Sequence, residues 1–155
     1  MKMPLYIANG LKGVFFGGNW TSVNIKDSLK NISWQQANKK VLNLHSIAEL
    51  VFHIDYFVVA VLNVLKGNSL NANDKYSFDL PVIECEEAWS HFISNILENA
   101  QDCALYIEKL EVFKLEENFV EIKYGNYYQN LSGIIEHAHY HLGQIILLKK
   151  LIIDA

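Results

Sequence analysis

The chain has 155 residues, 51% hydrophobic and 19% charged, which is enough for a single domain over residues 1–155 with its own core. No run of consecutive apolar residues approaches the roughly 18 that a membrane span needs, and the N-terminus lacks a signal-peptide pattern, so we expect a cytoplasmic protein with no membrane partner. The net charge is −4 and all 13 basic residues are lysine, which argues against nucleic-acid binding because arginine is preferred for phosphate recognition and base stacking.

The first predicted helix runs from about Met3 to Phe16, because apolar side chains recur there at helical spacing and the pair Gly17–Gly18 follows. An irregular stretch comes next. Within it, Ser33 and Gln36 have the spacing of a capping box, in which both side chains accept hydrogen bonds from free backbone amides at a helix start. We expect a brief helical turn at that point.

The second long helix is predicted to begin at a second capping box, Ser46–Glu49, and to end near Gly67. His53 falls three residues after Leu50 and four before Phe57, two residues of the apolar stripe. Because residues three and four apart share a helix face, His53 is predicted to point into the core or towards its edge.

A polar connection over residues 68–83 leads to the third predicted helix, which runs from about Glu86 to Leu110. Cys85 and Cys103 lie at the start and in the body of this helix. At 1.5 Å per residue they would be roughly 27 Å apart, too far for a disulfide, so we expect two reduced thiols. In residues 111–125 we expect at most a short extended piece, around Phe119–Ile122.

The fourth long helix is predicted from about Asn126 to Ile153. It carries two apolar lines, which is more hydrophobic surface than one bundle face uses, and this indicates either a central position or packing against another subunit. Four long helices with two connections of about 15 residues predict an all-α fold, a four-helix bundle with a crossover connection.

Three histidines crowd the apolar stretch Glu136–Gln144 of this fourth helix. His137 and His141 are four residues apart, so on a helix their Cβ atoms lie about 5–6 Å apart on one face, within reach of one metal ion. His139 lies on a different face. A facing helix could supply His53 as a third imidazole, and three such ligands leave coordination positions open, as a catalytic metal site requires.

A single histidine on an apolar face is usually a hydrogen-bonded core residue. Burying three imidazoles separately would need three sets of polar partners, with a cost of roughly 1–3 kcal/mol for each group left unpaired, whereas one metal ion satisfies all three. The sequence therefore favours His53, His137 and His141 as ligands of one divalent metal, for which we expect Zn²⁺ or Ni²⁺. Gln144 is expected either to hydrogen-bond a ligand imidazole or a metal-bound water, or to lie on the helix surface.

Two segments that contain these histidines resemble the DinB/YfiT-like superfamily of metal-dependent enzymes. They are Ser46–Tyr56 (SIAELVFHIDY) and His137–Ile145 (HAHYHLGQI), and Gly17–Trp20 and Trp89 also look like family positions. The resemblance covers nearly the whole chain. It implies a four-helix bundle, commonly a homodimer.

The same resemblance implies that one histidine of the second helix and two of the fourth, here His53, His137 and His141, bind one divalent metal. Some branches of the superfamily conjugate low-molecular-weight thiols such as bacillithiol, mycothiol or glutathione to electrophiles, and others are regarded as hydrolases. Many relatives carry arginine directly after the last histidine, where this chain has Leu142. A carboxylate-rich thiol would therefore have to be recognised by lysine or backbone groups.

Three functions remain open from the sequence. The first is a metal-dependent enzyme acting on a small molecule, as a thiol S-transferase or in related thiol-dependent chemistry. The second is a metal-dependent hydrolase, although a metalloprotease is disfavoured because Ala138 follows His137 where the H-E-x-x-H motif has its glutamate. The third is a non-catalytic, stress-associated, metal-binding dimer. None of them assigns a catalytic residue.

Overall fold

The computed structural model describes residues 3–153, in which all regular elements are helices and none is a strand. Two short helices, α2 (Ile25–Ser28) and α3 (Trp34–Asn38), lie between the first two long ones. The all-α prediction is confirmed, and each long helix begins and ends within two residues of its predicted position. The long helices are α1 (Met3–Phe16), α4 (Ile47–Leu65), α5 (Glu86–Glu108) and α6 (Tyr127–Ile153).

Both predicted capping boxes form. The Ser46 side chain accepts from the backbone amide of Glu49 at 3.2 Å, and the Glu49 carboxylate accepts from the amide of Ser46 at 2.7 Å. Ser33 and Gln36 make the same pair of bonds at the start of α3. These bonds satisfy amides that have no partner within the helix, and so fix where α3 and α4 begin. Helix α1 ends at Gly17, whose φ of 106° lies in the left-handed region that favours glycine.

The four long helices pack around one core. Helix α1 packs against α5 and α6, and α4 packs against the same two helices. Neither α1 with α4 nor α5 with α6 is among the closely packed pairs, so the connections over residues 17–46 and 109–126 each join two helices that do not pack closely against each other. The largest side chains that are fully buried in this core include Leu11, Phe15, Ile54, Trp89, Ile96, Ile107, Leu131 and Ile145.

Trp89 attaches the first connection to helix α5. Its side chain is buried, and its indole N–H donates to the carbonyl oxygen of Ile32 at 2.8 Å. Nearby, the carboxylate of Glu86 accepts from the backbone amide of Trp34 at 3.1 Å. The connection therefore has fixed polar anchors on α5 in addition to its apolar contacts.

The connection between α5 and α6 forms short helical turns instead of an extended strand. Residues Val112–Glu116 and Ile122–Tyr124 form 3-10 turns, and only Asn118 and Asn126 pair as an isolated bridge. Phe119 is buried, but Ile122 is exposed, and the described residues offer no neighbouring strand to pair with. The extended piece expected around Phe119–Ile122 is therefore absent, because a lone segment has no ladder to join.

The two cysteines are free, with Cys85 exposed at the start of α5 and Cys103 buried within it. Burial raises the pKa of the Cys103 thiol to about 12, so this group is an inert core residue at neutral pH.

Helix α4 is long and apolar enough to be compared with a membrane span. Within residues 3–153 it alone has the length and composition of a membrane span, with a mean hydropathy of 1.8 in its most apolar stretch, and 61% of that stretch is buried inside the protein. A central position in the core explains this hydrophobicity.

A carboxylate is enclosed between α4 and α5. Both oxygens of Asp55 accept from the side-chain amide of Asn99, at 3.1 and 3.2 Å. Burial raises the pKa of Asp55 to about 6, and the hydrogen bond from Asn99 opposes this rise only in part.

Trp89→Phe should lower the free energy of unfolding by about 2–4 kcal/mol, because it leaves the Ile32 carbonyl without its donor and opens space in the core. Trp20 is fully exposed, so Trp20→Phe is the matched control and should change stability by less than about 0.5 kcal/mol. Urea denaturation measures both. Equal effects of the two substitutions would show that Trp89 does not anchor the connection.

Asp55→Asn should stabilise the protein at about pH 7.5 and have little effect at about pH 4. Because the pKa of Asp55 rises from 3.8 to about 6 on folding, the free energy of unfolding decreases as the pH increases through that interval. Asparagine does not ionise, so the substitution removes this decrease. Urea denaturation at both pH values tests this, with Asp79→Asn in the exposed connection as control. A gain of the same size at both pH values would contradict the account.

Candidate metal centre

Three histidines from two helices meet at one point in the structure. They are His53 of α4 and His137 and His141 of α6, and one ligand nitrogen of each lies within 4.8 Å of the others. The Nε2 atoms of His53 and His137 are 3.0 Å apart. The three residues singled out from the sequence are thus brought together, and the group could hold one metal ion.

Helix geometry explains how the group assembles. Helix α6 is continuous through His137 and His141, so their four-residue spacing places both imidazoles on the face that packs against α4. His53 and His141 are buried and His137 is half-buried. His139, on another face of α6, does not join the group, as expected.

An oxygen outside the group orients His53. The Nδ1 atom of His53 lies 2.9 Å from Oγ of Ser77. That hydroxyl donates its one proton to the carbonyl oxygen of Asp74 at 2.7 Å, so it accepts from His53. The proton of His53 therefore sits on Nδ1, and the lone pair of Nε2 faces His137 and His141.

Gln144 orients the imidazole of His141 in the same way. Its side-chain oxygen Oε1 lies 2.7 Å from Nδ1 of His141 and accepts the proton there. Of the alternatives predicted for Gln144, the structure shows the hydrogen bond to a ligand imidazole. Metal-binding histidines commonly use such outer oxygens to fix the tautomer and raise the basicity of the ligating nitrogen.

The surroundings keep all three imidazoles neutral. Burial lowers the pKa of His53, His137 and His141, and in His53 and His137 the charge of His141 lowers it further. The pKa of His137 falls to about 4. At neutral pH each ring is thus uncharged and has one nitrogen lone pair with which it can bind a metal.

Aromatic rings shield the group from water. Phe78 stacks on His53 with the ring centroids 3.9 Å apart, and His45 stacks on the other face of Phe78 at the same distance. The edge of Phe57 meets both His53 and His137 at 5.1 Å. His45 precedes α4 and contributes to this stack without joining the cluster.

The donor set fits a divalent transition-metal ion. Three neutral imidazole nitrogens on two packed helices are ligands that Zn²⁺ and Ni²⁺ accept, and a tetrahedral or larger coordination shell would leave at least one position for another molecule. Two of the three histidines, His53 and His141, also have the outer hydrogen bonds that such sites need.

A cavity of about 530 Å³ lies directly beside the cluster, with His53 and His137 in its wall. Four polar side chains, Asp74, Tyr124, Gln129 and Asn130, contribute to the lining. A pocket of this size and apolar character can enclose a small molecule next to the histidines. The apolar part of the wall includes Phe57, Val61, Leu70, Phe119 and Ile134.

The sequence did not indicate Asp74, Ser77 or Phe78 as site residues. All three come from the connection between α4 and α5, which has no hydrophobic period and contains several polar residues of equal prominence. Only the folded path of this connection, braced where the Tyr56 hydroxyl accepts from the amide of Asn73 at 2.8 Å, brings them to His53. No local sequence signal could have selected them.

Comparisons of the chain with protein-family models, with curated proteins and with solved structures find no match.

Ser77→Ala should weaken zinc binding by roughly 10–100-fold without unfolding the protein, because His53 loses the oxygen that fixes its tautomer. Competition with a chromophoric chelator measures the affinity, and circular dichroism checks the fold. Ser90→Ala, on the exposed face of α5, is the control. Unchanged zinc affinity in Ser77→Ala would show that the hydroxyl does not serve the site.

Proposed function

We propose that the chain is a DinB/YfiT-like four-helix bundle that binds Zn²⁺ or Ni²⁺ through His53, His137 and His141 and acts as an enzyme on a small molecule, with thiol S-transfer as the reaction. One observation carries the proposal: three neutral imidazoles converge beside a cavity large enough for a substrate. A purely structural metal site would have its coordination shell closed by protein ligands.

The packing of the helices supports the bundle assignment. Four long helices surround one core, two of their connections join helices that do not pack closely against each other, and the ligand candidates lie on the facing helices α4 and α6. Metal sites of four-helix bundles are built in this way, from side chains that project inward from facing helices.

A bound divalent ion would supply a thiolate at neutral pH, because coordination removes the thiol proton. The residues of the chain set the conditions for the reaction. Ser77 and Gln144 orient two of the ligands, Phe57 and Phe78 exclude water, and the cavity holds the substrate. In the transfer, the sulfur of the thiol bonds to carbon of the electrophile, the leaving group departs with the bonding electron pair, and the thiol proton passes to solvent.

Hydrolysis is the second candidate, and Asp74 favours it. The carboxylate of Asp74 lines the same cavity as His53 and His137, which gives the site a base that the sequence did not reveal. A divalent ion lowers the pKa of bound water to about 7, and a carboxylate nearby can accept a proton from it.

A second copy of the chain is the protein partner that we propose. Helix α6 exposes apolar side chains at Tyr140, Leu147 and Leu151, and these fall on one side of the helix. Association of two copies through this face would remove these side chains from water, in line with the expectation that the apolar lines of this helix serve the core or another subunit.

The experiment that tests the proposal begins with protein purified without a histidine tag. Zinc-loaded protein should conjugate members of a thiol panel to an electrophile, chelation should abolish turnover, and His141→Ala should reduce it at least 100-fold because a ligand is lost. His139→Ala is the matched control and should retain activity, since His139 lies outside the cluster.

Two outcomes separate the candidates. Chelator-sensitive cleavage of esters or amides, with no thiol conjugation, would replace the transferase by the hydrolase. Tight metal binding with no turnover in either panel would contradict both enzymatic functions and leave a metal-binding dimer.

A further inference from the structure

We infer that Asp74 is a positioning residue of the metal centre. Its carboxylate acts through the hydroxyl of Ser77, holds the proton of His53 on Nδ1 and so strengthens Nε2 of His53 as a metal ligand. The inference rests on the proposed function because it takes His53 as a ligand, but it concerns the site before any substrate binds. This role is separate from that of a base in hydrolysis.

A continuous chain of contacts joins the carboxylate to the imidazole. Nδ1 of His53 lies 2.9 Å from Oγ of Ser77, and this hydroxyl lies 2.7 Å from the carbonyl oxygen and 3.2 Å from the carboxylate oxygen Oδ1 of Asp74. Ser77 has one hydroxyl proton, and both of its acceptors belong to Asp74, so the proton points towards Asp74. The hydroxyl oxygen then accepts from His53.

The inner part of this chain is removed from water. Ser77 is 0% exposed and His53 is 6% exposed, whereas Asp74 lies at the surface. In buried surroundings hydrogen bonds are electrostatically stronger than in water and polarise one another. A carboxylate is also a stronger acceptor than a neutral oxygen. Its charge at the outer end therefore favours the arrangement in which the protons of Ser77 and His53 both lie on the side towards Asp74.

The turn that carries Asp74 and Ser77 is fixed by its own hydrogen bonds. The Tyr56 hydroxyl donates to the carbonyl oxygen of Asn73 at 3.0 Å and accepts from its amide at 2.8 Å. The Asn73 side chain accepts from the amide of Lys75, and the carbonyl oxygen of Asp74 accepts from the amide of Ser77, both at 3.0 Å. The carboxylate is therefore attached to a braced segment, although it lies at the surface.

The charge of Asp74 also reaches the histidines through space. Burial lowers the pKa of His53 and of His137, and the negative charge of Asp74 opposes this lowering in both. A charge that favours a proton on an imidazole also favours a divalent cation at its free nitrogen. The effect through space does not need Ser77, whereas the chain of hydrogen bonds does, so removal of the hydroxyl separates the two routes.

Zinc affinity in four proteins tests the inference: the parent, Asp74→Asn, Ser77→Ala and the double variant. Competition with a chromophoric chelator at about pH 7.5 should show that Asp74→Asn weakens zinc binding about fivefold, because a neutral acceptor of the same shape replaces a charged one. In the Ser77→Ala background the same substitution should change the affinity less than about twofold. Asp79→Asn, at an exposed position of the same connection, is the control and should leave the affinity unchanged.

The tautomer of His53 in metal-free protein is the second measurement, because a merely structural role of Asp74 would not change it. Nitrogen NMR chemical shifts of the imidazole rings distinguish a proton on Nδ1 from one on Nε2. His53 should carry its proton on Nδ1 in the parent and show a larger Nε2–H fraction in Asp74→Asn and in Ser77→Ala. His141, whose Nδ1 lies 2.7 Å from Oε1 of Gln144, is the internal control and should keep its tautomer in all four proteins.

An equal loss of zinc affinity from Asp74→Asn in both backgrounds would overturn the inference, since the carboxylate would then act through space alone. Unchanged affinity, or a His53 tautomer that Asp74→Asn leaves unchanged, would also overturn it. A parent protein that binds no zinc contradicts the proposed metal function. The tautomer in metal-free Asp74→Asn then still decides whether Asp74 positions the proton of His53, and it does so even if Ser77→Ala fails to fold.

Discussion

The site depends on three neutral imidazoles between α4 and α6, two of them buried and that of His137 half-buried. A buried imidazole is costly unless its polar nitrogens have partners, and here the two outer nitrogens of His53 and His141 bond to Ser77 and Gln144. The remaining nitrogens face one another, with His53 and His137 3.0 Å apart. One divalent ion would satisfy this inner set at once, which explains why three titratable groups share an otherwise apolar core.

The connection between α4 and α5 supplies one of the polar partners that the imidazoles need, and it also covers the histidines and lines the cavity. Ser77 orients a ligand, Phe78 covers the ring of His53, and Asp74 stands at the edge of the adjoining cavity. Three residues of one irregular segment therefore contact the histidine cluster, cover it or line the cavity. A bound substrate and a bound metal would be linked through this segment, since Asp74 and Ser77 share hydrogen bonds.

The sequence predicted the features that follow from local chemistry. The capping box at Ser46 and Glu49 set the start of α4, and the four-residue spacing of His137 and His141 placed both on one helix face, because these features depend only on nearby residues. His53 was predictable from its place in the apolar stripe. The outer hydrogen bond of His141 was also within reach, since Gln144 is three residues away on the same helix.

What the sequence could not predict depends on long-range paths of the chain. Ser77 is 24 residues from His53, in a segment without hydrophobic period, and its hydroxyl resembles that of any other serine until the fold is known. The cavity is likewise lined by residues of α4, of α6 and of the connections on either side of α5. The strand considered near Phe119 failed for the same reason, because pairing requires a partner elsewhere in the chain.

X-ray absorption spectroscopy of zinc-loaded, tag-free protein tests the central claim most directly. We expect one zinc per chain with three imidazole nitrogens at about 2.0–2.1 Å and one further light ligand, and His141→Ala should lose one imidazole from that shell. A zinc shell with sulfur, or one with fewer than two imidazoles in the parent protein, would contradict it.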